Sequence, residues 1–326
     1  MRFLFAPFSL STAFFSSLLS GVLFASVPAA SFAASSAADT TLKVGDQQLQ
    51  TRGVLEASGQ LKDVPYKIEW YNFPAAQPLG EALNAGAIDI GGLGDAPLIF
   101  AYAAGARVRA VAATRSHPVD LAIVVPENSP IHSSADLKGK RIATTRGSIG
   151  HYLAIATLER AGIKLSDVSL RFMQPADAKA ALATGNVDAW STWDPYVALA
   201  ELRDHDRSIA NGVGVSSGLS FQAATDESIR THRTQIDDFL RRVAAGQRWA
   251  LAHPDEVAAM QSRVTGLPTD VLKTVYQRAQ LHPVAIDDGV VAEQQKTADL
   301  YLRADVIKSK LDVTPSFDRQ FGFSEH

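Results

Sequence analysis

Lys138-Gly139-Lys140-Arg141-Ile142-Ala143-Thr144-Thr145-Arg146-Gly147-Ser148-Ile149-Gly150-His151-Tyr152 is the stretch that decides the fold. Arg141 to Thr145 is β-branched and apolar enough for a buried strand. A Gly-Ser turn follows. Ile149, Tyr152, Leu153, Ile155, Ala156 and Leu158 then fall at helical spacing until Gly162 stops the run. Ser148 stands where an N-cap belongs. Strand, tight turn and helix start together aim free backbone N–H groups, and the positive end of a helix dipole, at whatever lies beyond the sheet edge. Such a place holds anions.

The same plan recurs on either side of this stretch. Strands are expected at Thr41 to Gln47, Tyr66 to Phe73, Ala87 to Gly92 and Arg107 to Thr114, with helices between them, and Asp95-Ala96-Pro97 opens one helix with an Asp N-cap. A second pass runs through Leu121 to Val125, the opening stretch, Val168 to Phe172, a helix at Ala176 to Ala183 and a strand at Val187 to Ser191, and Asp194-Pro195 opens the next helix. Strands alternating with helices predict an α/β fold with parallel pairs. Phe73 and Phe172, Leu83 and Leu182, Gly86 and Gly185, Asp89 and Asp188, and Asp95 and Asp194 are each 99 residues apart. That period is too long for a solenoid and predicts two related lobes. After a strand at Leu219 to Thr225 the chain becomes helical, with an amphipathic stripe at Ile236, Phe239, Leu240 and Val243. This tail is expected to return to the first lobe. The predicted division is residues 40–125 with 222–326 as lobe 1 and 126–221 as lobe 2, with crossovers near Pro126 and Phe221.

Composition narrows the function classes. Met1-Arg2, the apolar and Ser-rich run to Val27 and the small residues around Ala33 predict a cleaved secretory signal peptide over residues 1–33. About 290 residues then remain, enough for two lobes. There is no cysteine, which removes disulfides, zinc–thiolate clusters and cysteine nucleophiles. With 31 basic and 34 acidic residues there is no basic field for nucleic acid. Loss of Arg2 with the leader would take the net charge from −3 to −4.

In an open α/β sheet, ligands sit beyond the carboxyl ends of the strands. Four such turns are expected to converge on one cleft: Asp46 to Gln50, Leu93 to Ala96, Thr145 to Ser148 and Ser191 to Asp194. Gln47, Gln48, Ser148 and Thr192 would offer neutral donors, which suits a small anion held without a metal or other cofactor. Trp193, Phe221 and Leu93 are candidates for an apolar wall. Arg115 could grip an oxyanion with two nitrogens or form an ordinary salt bridge. His151 is either a ligand contact or a satisfied structural histidine. The charge of Asp95 opposes a bound anion, and a ligand that also carries a positive centre would suffer less. Catalytic signals are thin: Gly147-Ser148-Ile149-Gly150 is not a G-x-S-x-G elbow, and nucleotide and zinc motifs are missing from the sequence. An exported hydrolase using Ser148 and His151 is the alternative of another class.

Several segments together resemble the periplasmic solute-binding proteins of ABC importers, in the branch for aliphatic sulfonates, taurine and nitrate. They are Phe73-Pro74-Ala75, Glu81 through Asp89, Gly94-Asp95-Ala96-Pro97, Ser134 through Lys140, Gly147-Ser148 with His151-Tyr152, and Val187-Asp188-Ala189-Trp190 leading to Trp193-Asp194-Pro195. The resemblance is strongest to the alkanesulfonate-binding members and spans Leu42 to about Gln320. It implies a two-lobed periplasmic binding protein fold, each lobe a β-sheet flanked by helices, with a ligand cleft between lobes and two hinge crossovers. It further implies a periplasmic, monomeric, non-enzymatic protein that delivers an alkanesulfonate to an inner-membrane permease for sulfur acquisition. The ligand would be held at the positions of Gln48, Gly94, Asp95, Gly147, Ser148, His151 and Trp193. The loop Gly45 to Gln50 departs from the family pattern, having no lysine or glycine after its glutamine. Taurine, nitrate, bicarbonate or a heterocyclic precursor are the other ligands within this class.

Overall fold

The computed structural model describes residues 40–321, so the expected leader at 1–33 lies outside the described residues. In chain order the elements are β1 (Thr41–Gln47), α1 (Gln50–Ala57), β2 (Lys67–Phe73), α2 (Ala76–Asn84), β3 (Ile90–Gly94), α3 (Asp95–Ala103), β4 (Val108–Arg115) and β5 (Leu121–Val125). Next come β6 (Arg141–Thr144), α4 (Ile149–Arg160), β7 (Ser169–Phe172), α5 (Pro175–Ala183), β8 (Ala189–Trp193), α6 (Tyr196–Arg203) and β9 (Arg207–Asn211). The chain continues through β10 (Leu219–Thr225), α7 (Asp226–Thr231), α8 (Arg233–Ala252), α9 (Pro254–Thr265), α10 (Thr269–Ala279), β11 (His282–Val284) and α11 (Asp288–Arg303).

Two mixed sheets result, ordered β2-β1-β3-β10-β4-β11 and β7-β6-β8-β5-β9. In the first, β1 lies between parallel neighbours β2 and β3, and β10 runs antiparallel to β3. In the second, β6 lies between parallel β7 and β8, and β5 runs antiparallel to β8. The sheets therefore repeat one plan. The repeat extends to single bonds: Lys43 N donates to Asp89 Oδ2 and Arg141 N to Asp188 Oδ2, both at 2.8 Å. Before each aspartate the chain turns on a glycine at positive φ, Gly86 at 67° and Gly185 at 71°, where a side chain would be strained.

The pairing of β5 corrects the predicted lobe division. Leu121–Val125 pairs with β8 and β9, so it belongs to the second sheet. The chain crosses between sheets at 116–120 and 212–218. Its run of five buried residues was equally compatible with either sheet. The antiparallel insertion of β5 and β10, each entering from the opposite lobe, decides the assignment. Short edge strands β9 and β11 have no apolar alternation that would announce them.

The opening stretch folds as read, with β6, a turn, and α4 capped by Ser148, whose Oγ accepts from His151 N at 3.1 Å. Helix α4 is buried from Gly150 to Leu158. One side, Leu153 and Leu158, packs in the core of the second sheet. The other, Tyr152, Ile155 and Ala156, shares a core with Leu98 of α3 and Leu300 and Tyr301 of α11. A helix covered on all sides is apolar all round. Each fully buried leucine contributes about 1.5–3 kcal/mol, so the N-terminus of α4 is firmly fixed where the two lobes meet.

Candidate functional site

A cavity of about 260 Å³ lies where the carboxyl ends of β3 and β8 face each other. Gly94, Asp95 and Pro97 form one lip, Ser148 and Ile149 the opposite lip. Both lips close because two glycines leave room. A Cβ on Gly94 would sit 2.6 Å from Ile149 Cγ2, and one on Gly147 would sit 2.6 Å from the Phe100 ring. Trp193 and Phe221 line the cavity as apolar walls, with Phe221 fully buried. The crossovers supply Ser116, Asp120, Ser216 and Gly218. Among the bonds that tie the lobes are Gln48 Nε2 to Tyr196 Oη at 2.9 Å and Tyr301 Oη to the Ser148 carbonyl at 3.4 Å, and Ser217 Oγ of the second crossover donates to Asp95 Oδ2 at 2.8 Å.

The electrostatics are unusual for an anion site. Four aspartates, Asp46, Asp95, Asp120 and Asp194, line the cavity, and no Lys, Arg or His does so among the described residues. Burial raises their carboxyl pKa values, Asp46, Asp95 and Asp120 to about 6 and Asp194 to about 7. Protein donors oppose the shift in part: the Thr51 and Arg52 N–H groups for Asp46, Ser217 for Asp95, Ser116 for Asp120, and Arg278 for Asp194. Any anion must therefore be held by neutral donors at the Ser148 side, where the first-turn N–H groups of α4 have no partner within the helix.

Of the contacts expected from the sequence, Gln47, Gln48, Leu93, Gly94, Asp95, Ser148, Trp193 and Phe221 line this cavity. Asp95 does so as the first residue of α3, not as its N-cap, a place taken by Gly94. Arg115, Gly147, His151 and Thr192 are not among the lining residues. Arg115 takes its salt-bridge reading, its Nη1 donating to the Ser217 carbonyl at 2.7 Å and to Glu293 at 2.9 Å. The Gly147 N–H turns inward to His151 Nδ1 at 3.2 Å. Thr192 precedes Trp193 on a strand, so its side chain takes the opposite face and is fully buried. His151 is buried, set edge-on against Phe172 with centroids 4.9 Å apart. Burial, with Arg146 nearby, lowers its pKa to about 4, so it is neutral with Nδ1 as acceptor. Ser148 Oγ accepts from the His151 backbone N–H, and no hydrogen bond joins it to the ring. A nucleophile and its base need that bond.

The sequence reading missed Asp120, Ser116 and Gln261 as lining residues. Gln261 comes from α9, and its Nε2 holds the Leu49 carbonyl at 2.7 Å. Nothing local marks a glutamine on a distant helix as a site residue. Asp120 sits in a crossover with no periodic pattern. Asp194 was legible only as a helix opener, and its Oδ1 does accept from Ala198 N at 3.0 Å.

The family profile described as NMT1/THI5 like matches residues 73–257. A protein of Escherichia coli (strain K12), named for binding aliphatic sulfonates, is 36% identical over 278 residues, covering 83% of this chain and 86% of its own length. The alkanesulfonate-binding protein SsuA from Xanthomonas axonopodis pv. citri, solved bound to MOPS, superposes with a TM-score of 0.82 at 31% identity, covering 87% of this chain and 99% of that one. The periplasmic aliphatic sulphonate binding protein SsuA from Escherichia coli superposes at 0.74 with 34% identity, over 85% of this chain and 92% of that one. A desulfurization enzyme shares the fold alone, at 18% identity and a TM-score of 0.62.

Proposed function

The chain belongs to the NMT1/THI5-like family, alongside the aliphatic sulfonate-binding proteins, and from that membership we propose that it captures aliphatic sulfonates in the periplasm for an ABC-type permease. The observation that carries the reading is the cleft itself. Ser148 and the α4 N-terminus face the Gly94–Asp95 turn across a cavity with an apolar wall. A sulfonate needs several convergent donors at one end, and its organic tail needs the wall that Trp193 and Phe221 provide. Nitrate or bicarbonate would need neither the room nor the wall. Closure is a hinge motion at 116–120 and 212–218, with the Gln48–Tyr196 bond made when the lobes meet.

The reading is of a binder, not a catalyst. Shared fold with a desulfurization enzyme does not decide chemistry, and Ser148 has no general base bonded to it. The test is a thermal-shift panel on refolded, ligand-free protein with alkanesulfonates of graded length, nitrate, sulfate and bicarbonate. A ligand at a hundred times its Kd stabilises by about 2.7 kcal/mol, which raises the midpoint by roughly 4–5 °C in a chain of this size. Sulfonates are expected to do so. A shift with nitrate or bicarbonate alone would overturn the reading, and turnover of the sulfonate would revive the hydrolase.

A further inference from the structure

We propose that the cleft continues into a second chamber, between α1, α8 and α10, which takes the organic tail of the ligand and sets which tails are accepted. This deepens the sulfonate reading and rests on it. The lining of the cavity does not end at Trp193 and Phe221 but runs on to these three helices. Helix α10 contributes Leu272, Val275, Tyr276 and Ala279. Helix α8 contributes Val243, Gln247, Ala250 and Leu251. Each set has the spacing of a single helix face. An amphipathic helix normally packs such a face on a core. Here two of them, with Val54 and Leu55 of α1, border open space. Interiors are close-packed and seldom leave apolar faces against a void, so an apolar occupant fits.

Small residues make the room. Gly246 lets α8 touch α1, since a Cβ there would lie 3.1 Å from Val54 Cγ1. One turn on, α8 presents Ala250, and α10 presents Ala279, both too short to fill the gap. The lining also selects an uncharged tail. Among the described residues it holds no Lys, Arg or His, and both oxygens of Asp46, beside α1, are occupied by the Thr51 and Arg52 N–H groups at 3.0 and 2.8 Å. A second charge on the tail would find no partner there. At the far end, Leu251 is 43% exposed and also lines a surface hollow with Pro254, Tyr276 and His282. The chamber therefore reaches the surface at the end of α8, and a tail longer than the chamber has a way out. The sulfonate is gripped where the lobes meet, while α1, α8 and α10 hold the tail.

The test is calorimetric titration of refolded, ligand-free protein with ethanesulfonate and 1-octanesulfonate, on wild type and on Ala250→Phe and Ala279→Phe, which fill the chamber. Each methylene taken out of water is worth about fourfold in affinity. Wild-type protein is expected to bind 1-octanesulfonate about tenfold or more tightly than ethanesulfonate, and each variant should reduce that ratio to about twofold or less. Because the new rings enter open space rather than a packed core, both variants should fold, with ligand-free midpoints near that of wild type. If one fails to fold, the other decides. Failure of both to fold would mean the space is already filled and would overturn the proposal. Equal wild-type affinities, or a ratio kept in the folded variants, would overturn it while the sulfonate reading stands. No binding of either probe by wild-type protein would overturn both together.

Discussion

Asp95 and Asp194, 99 residues apart, each follow the last residue of equivalent strands β3 and β8, and both reach the same cavity. Burial raises both carboxyl groups above the ordinary 3.8, to about 6 and about 7. Between pH 3.8 and 7 the unfolded chain ionises while the fold keeps the Asp194 proton. The fold then binds more protons than the unfolded chain, so this contribution to stability falls as pH rises through that window. The midpoint of wild-type protein minus that of Asp194→Asn is therefore expected to increase as pH drops from 8 to 5. Thermal melts at constant ionic strength measure it, and a difference that shrinks on acidification contradicts the assignment.

Closure depends on a glycine at the first lip. Gly94 has an ordinary φ of −65°, so alanine fits its backbone, but the new methyl would sit 2.6 Å from Ile149 Cγ2. Gly94→Ala is expected to leave the ligand-free midpoint within a few degrees and to weaken ligand binding by about tenfold or more. Adding Ile149→Ala removes the clash and should recover most of the affinity. Titration of the single and double variants reads this directly. Equal affinity in Gly94→Ala would mean the lips do not meet in the bound state.

Arg115 and Ser148 were both candidate contacts, and the structure separates them. Arg115→Ala removes the bonds to the Ser217 carbonyl and Glu293 and is expected to lower the midpoint while keeping affinity within about threefold. Ser148→Ala removes a donor to a charged group, a loss of about 10- to 100-fold in affinity, together with an N-cap of about 1 kcal/mol. The reverse ranking of the two variants in a binding assay would place the anion at the Arg115 end.

Much of this architecture was legible because its signals are local or periodic. The strand–turn–helix at Arg141 to Leu158 announces its own cap, and the 99-residue offset places Asp95 opposite Asp194 without any coordinates. What was hidden depends on distant partners. Whether Arg115 grips a ligand or a neighbour is decided by Glu293, 178 positions away. The packing of His151 is set by the Gly147 N–H and by Phe172, 21 positions away, which enclose its ring. Leu121–Val125 is uniformly buried, and only its pairing with Ala189–Trp193 assigns it to the second sheet. Asp120 carries no local signal of its site, because it ends a single 3-10 turn, Pro118–Asp120, too short to show a periodic pattern.

The central claim is that this cleft binds a sulfonate through the Ser148 turn and an organic tail against Trp193. Isothermal titration of refolded, ligand-free protein with a sulfonate series from ethane- to octanesulfonate, with and without a terminal amine, tests it most directly. The account predicts saturable one-to-one binding by at least one member, weakened by about 10- to 100-fold on Ser148→Ala and by about tenfold or more on Trp193→Ala with the fold intact. Saturable binding of nitrate or bicarbonate with no heat from any sulfonate would contradict it.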